Sequence, residues 1–117
     1  MNWNAVRAEI DRGKTARANG NEGQARVSAR RAAGMMLRDY LEQRGEHVAG
    51  LSAYDLIEVA HASPQFSAEV MTLLEHFMTR VEPGGHFPAE IDLLDDTQRL
   101  AHLLGFTPSP STGNSPH

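Results

Sequence analysis

The sequence predicts an all-α protein, an antiparallel up-down four-helix bundle with an extra short helix between the second and third long helices. Three observations lead there. Apolar residues recur at helical spacing through most of the chain, and no segment alternates with period two between turn signals. The first two helical stretches are separated only by Asn19-Gly20, and a connection so short folds its helices back on one another.

The first helix is expected from about Trp3 to Asn19, capped by Asn2 or Asn4, with Trp3, Val6, Ile10 and Ala16 on its buried side. Asn21 caps the central helix, with Gln24 placed for a capping-box contact, and Gly45 closes it. At 100° per residue, Ala25, Ala29, Ala32, Ala33, Met36 and Tyr40 form one stripe of this helix. Val27, Gly34, Leu37 and Leu41 form a second apolar arc, while Ser28, Arg31, Arg38 and Asp39 fall opposite the first stripe. With so many small residues inward, one neighbour should pack unusually closely.

Ser52 starts the short helix, Ala53 to His61 or Ala62. Pro64 is expected to open the third long helix, whose stripe of Phe66, Val70, Leu73, Leu74, Phe77 and Val81 runs to about Arg80. Glu82-Pro83-Gly84-Gly85 breaks it. Pro88 is expected to open the last helix, with Ile91, Leu94, Leu100, Ala101 and Leu104 inward and Gly105 at its end. Residues 1–106 thus form one domain, and the tail 107–117 has almost nothing to bury and is expected to be disordered.

Composition narrows the function. The chain has no cysteine, which excludes disulfides, thiolate catalysis and cysteine-bound zinc. No apolar run approaches the roughly 18 residues of a membrane helix, and the N-terminus has no basic and apolar leader, so a cytoplasmic protein without membrane contact is expected. Residues 1–45 hold nine Lys/Arg and five Asp/Glu, residues 46–117 two and ten, and all six histidines lie in the second part. This asymmetry suits either mutual attraction of the two halves, within the fold or across a dimer, or a basic face for nucleic acid.

The pattern resembles the HEPN (higher eukaryotes and prokaryotes nucleotide-binding) family over roughly Trp3 to Phe106. The residues that carry the resemblance are the small-residue second helix in ARANGNEGQARVSARRAAG, the SAYDL segment, and TRVEPGGHFP between the third and fourth long helices. The resemblance implies a bundle that often dimerises and is tied to RNA, nucleotides or a nucleotidyltransferase-like partner protein, as in toxin–antitoxin systems. Many members serve as binding modules, without catalytic activity, and that is the function expected here, with no cofactor. Active members look like metal-independent endoribonucleases with an Arg-x(4–6)-His motif, a spacing matched by Arg80 and His86, the alternative being that such a pair works across a dimer.

In such cleavage a histidine moves the proton while a cation steadies the phosphorane charge; otherwise Arg80 caps a helix C-terminus and His86 sits in a solvated loop. Arg26 and Arg30 on one flank of the second helix, and Arg31 and Arg38 on its exposed wedge, could track phosphates; the alternative is exposed ion pairs with the acid-rich half. Glu58-x-x-His61 has metal-ligand spacing on a helix but lacks the second pair a di-iron bundle needs, so no metal site is expected.

Overall fold

The computed structural model describes residues 3–81 and 85–106. Among them the chain forms five α-helices and no strand: α1 (Trp3–Ala18), α2 (Glu22–Glu42), α3 (Ala53–His61), α4 (Ala68–Met78) and α5 (Leu93–Leu103). None of these helices is long and apolar enough to cross a membrane. The tail 107–117, Asn2, Glu82, Pro83 and Gly84, on which several expectations fell, lie outside the described residues.

Helix α2 is the hub, touching α1, α3 and α5, while α4 packs on α3 and α5. Its start is fixed by the Asn21 side chain, which accepts the Gln24 backbone N–H at 3.0 Å. At its end Gly45 adopts φ +82°, letting the Glu46 N–H reach back to the Leu41 carbonyl at 3.0 Å. Ala25, Ala29, Ala32, Ala33, Met36, Leu37 and Leu41 are all buried.

The close neighbour is α3. A Cβ at Gly34 would stand 2.7 Å from the Ala53 Cβ and 2.8 Å from its Cα, inside any allowed contact. Gly13 plays a similar part on α1, where a Cβ would lie 2.7 Å from a Leu94 methyl of α5 and 3.2 Å from the Ser28 Cβ. Contacts step outward from the Asn19-Gly20 turn, Arg17 against Glu22 and then Gly13 against Ala25 and Ser28, which makes α1 and α2 a helical hairpin. The rest of the core is Leu56, Ile57, Leu74, Phe77, Leu93 and Leu100, each large side chain contributing about 1.5–3 kcal/mol by leaving water.

Several sequence expectations are corrected. Ser28 is fully buried, because the side-chain-free Gly13 opposite it lets α1 come close, and Val27 and Val81 are exposed. Asn4 lies within α1 rather than capping it. Neither proline opens a helix. The Ser67 hydroxyl accepts the Val70 N–H at 3.2 Å and the Asp92 carboxylate accepts the Asp95 N–H at 3.1 Å, so α4 and α5 begin where a side chain can satisfy an orphan donor, several residues after Pro64 and Pro88. Phe66 precedes α4 instead of lying on its stripe, and packs on Tyr40 with ring centroids 5.3 Å apart. Helix α4 stops at Met78 because Thr79 turns extended, with ψ 134°.

Candidate functional site

Three arginines, two from α2 and one from the stretch after α4, meet where α2 passes the end of α4. Arg26 and Arg30 stand one helical turn apart on α2. Arg30 is half-buried, and its guanidinium donates from Nε to the Phe77 carbonyl at 2.8 Å and from Nη2 to the Thr79 carbonyl at 2.6 Å. The last carbonyls of a helix lack partners and carry partial negative charge, so a cation there is held firmly. Arg30 therefore does the C-terminal capping that the sequence suggested for Arg80.

Arg80 instead lies over the Tyr54 ring, 4.4 Å from its centroid, and the Tyr54 hydroxyl leans on the Met78 carbonyl at 3.4 Å. Arg26 lies over the Phe87 ring at 4.6 Å. Arg30, Tyr54, Arg80 and Val81 line an open recess of about 370 Å³.

The electrostatics of this cluster are repulsive. Burial, then the nearby charges of Arg26 and Arg80, push the Arg30 pKa below its ordinary value. Among the described residues no carboxylate forms an ion pair with Arg26, Arg30 or Arg80. Helix carbonyls and aromatic faces hold the guanidinium groups in place without neutralising them. Such a cluster can bind an anion with charge-assisted hydrogen bonds, while Tyr54 and Phe87, both half-buried, each carry a guanidinium on one face.

The other predicted residues go elsewhere. Arg31, exposed, and Arg38, half-buried, line a second recess with Glu9; Arg38 Nη2 also donates to the Leu51 carbonyl at 2.7 Å. His86 is exposed in the segment before α5 and is not part of the lining of the Arg30–Arg80 recess. His61 pairs with Glu75 at 3.2 Å and His76 with Asp96 at 2.9 Å; among the described residues no group of three or more His, Asp or Glu is arranged to hold a metal ion.

The ion pairs expected between the halves reduce, among the described residues, to Arg17 with Asp92 at 3.1 Å. Sequence reasoning did not single out Tyr54 as a site residue, and it marked Phe87 only as part of the Arg80 to Pro88 loop expected to contact a ligand. Their signal was position, each next to a turn or cap beside the arginine-bearing stretches, in SAYDL and HFP.

Comparison with protein families, curated proteins and solved structures finds no match to this chain.

Proposed function

We propose that this protein is a HEPN-type binding module that takes a phosphate-bearing ligand, single-stranded RNA or a nucleotide, at Arg26, Arg30 and Arg80. In this reading the five helices amount to an antiparallel four-helix bundle with α3 inserted between the second and third long members. One observation carries it: Arg30 is repelled by Arg26 and Arg80, none of the three forms an ion pair with a described carboxylate, and two of them lie on aromatic rings. A phosphate relieves that repulsion, and a base gains stacking where it displaces a guanidinium from one of these half-buried rings.

Binding is favoured over catalysis because Arg80 is engaged with Tyr54 and, among the described residues, neither a histidine nor a carboxylate lines its recess. The homodimer and the nucleotidyltransferase-like companion implied by the family resemblance belong to the same proposal, and light scattering with and without RNA checks the first.

The test is fluorescence anisotropy with a labelled oligouridine at low salt, repeated with ATP as competitor. The expected result is salt-sensitive binding, weakened at least tenfold in the Arg26→Gln/Arg80→Gln double variant, with the RNA intact on a gel afterwards. Absence of binding, or equal binding by the double variant, overturns the reading. Cleavage that disappears in His86→Ala would replace it with the endoribonuclease.

A further inference from the structure

The second recess, about 280 Å³, lies where α1, α2 and α3 meet and is lined by Glu9, Arg31, Gly34, Met35, Arg38, Ala53 and Leu56. Glu9 is only 8% exposed. Its Oε1 accepts from Arg12 on the same helix, but its Oε2 is buried with no hydrogen-bond partner among the described residues. A carboxylate oxygen removed from water and left unbonded is costly in free energy, and buried charge is ordinarily paired. Glu9 is ion-paired to Arg12 through Oε1 alone and forms part of the wall of this recess, so a cationic group that pairs with the second oxygen approaches from the recess as the side chain turns toward it.

The same recess carries cations. Neither Arg31 nor Arg38 forms an ion pair with a described carboxylate, and Arg38 gives only one N–H to the Leu51 carbonyl. Between the two charge signs lies an apolar wall of Met35, Ala53 and Leu56, with Gly34 keeping α3 close. A simple anion would be repelled by Glu9 and a simple cation by the arginines. A molecule carrying both charges a short distance apart, with an apolar remainder, satisfies all three parts.

We propose that this recess binds a free α-amino acid with an apolar side chain, its ammonium group on Glu9, its carboxylate on Arg31 and Arg38, and its side chain against Met35, Ala53 and Leu56. The site shares no residue with the Arg26, Arg30 and Arg80 cluster and stands or falls independently of it.

Calorimetric titration of the full chain with L-leucine and L-methionine tests the assignment, alongside leucinamide, which lacks the carboxylate, and 4-methylpentanoate, which lacks the ammonium group. The expected outcome is saturable binding of at least one amino acid, at least tenfold weaker binding of both truncated probes, and amide-resonance shifts at Gly34 and Ala53. Glu9→Gln should weaken the amino acid at least tenfold without weakening 4-methylpentanoate. No binding at millimolar amino acid overturns the proposal, as does equal affinity for the amino acid and the truncated probes. Should Glu9→Gln fail to fold, the probe comparison on the unaltered chain still decides.

Discussion

Arg17 and Arg30 are the same residue type, one just before the α1–α2 turn and one inside α2, yet they sit in opposite electrostatic settings. Arg17 donates from Nε to Glu22 at 2.7 Å and from Nη1 to Asp92 at 3.1 Å, and those two hydrogen-bonded carboxylates raise its pKa above the ordinary value. Arg30 has carbonyls and two further arginines instead, and burial with like charge lowers its pKa. The first arrangement is saturated and ties the hairpin turn to the start of α5. The second is anchored by two carbonyls but leaves its positive charge without a described carboxylate partner, which is a property of binding sites more than of structural knots.

The largest expected effect tests whether packing around α2 builds the second setting. Gly34→Val places methyl groups where Ala53 stands, so α3 must shift and carry Tyr54 with it. A loss of roughly 3 kcal/mol in urea denaturation is expected, the upper part of the overpacking range, together with weaker RNA binding. Unchanged stability would mean that the α2–α3 approach is not as close as described.

Next comes Arg30→Gln, which strips the α4 carbonyls of a charged donor and is expected to cost about 2 kcal/mol, within the range for hydrogen bonds to charged groups. Oligouridine affinity should fall with it. If stability drops and affinity does not, Arg30 is only a cap.

Arg80→Gln separates the two roles, because its side chain is exposed and rests on a ring. Stability should change by less than about 1 kcal/mol, while the slope of log affinity against log salt should decrease by about 0.7, the value for one phosphate contact on a single strand. The smallest effect belongs to the saturated knot. Arg17→Ala should cost about 0.5–1 kcal/mol, since these pairs are largely solvated, and leave RNA binding unaltered.

The pH dependence supplies the sign. Burial alone would raise the Asp92 pKa, but the bond from Arg17 and the Asp95 N–H outweigh it and hold the carboxyl below its usual range. A lowered carboxylate contributes stability that is present above its unfolded pKa and lost as pH falls through the folded one. Arg17→Ala should therefore flatten the acid limb of the stability curve below about pH 4. Asp96 behaves oppositely: burial raises its pKa despite the His76 bond, so its contribution is full below the ordinary carboxylate pKa and falls as pH rises above it through the raised folded value, and Asp96→Asn removes the fall.

Much of the fold was legible because helices leave local marks. The α2 stripe of alanines, the Asn21 cap, Gly45 and the limits of α3 depend on residues a few positions apart, and the structure has them as expected. The starts of α4 and α5 were misplaced because a proline tolerates the first helical position, whereas Ser67 and Asp92 actively bond the free N–H groups there. Ser28 looked solvent-facing because its burial depends on Gly13, fifteen residues earlier on another helix.

By itself the sequence determined the all-helical class, the hub character of α2 and the separation of Arg26 and Arg30 from Arg31 and Arg38, since each follows from the 3.6-residue period acting within one segment. Only the tertiary structure decided which arginine meets a carboxylate and which meets a ring. Those outcomes depend on contacts such as Arg30 with Phe77 and Arg17 with Asp92, 47 and 75 residues apart in the chain. No local pattern encodes the charge a side chain will face when its neighbours come from distant elements, so the electrostatics of the site exist only once α2, α4 and the segment before α5 have packed together.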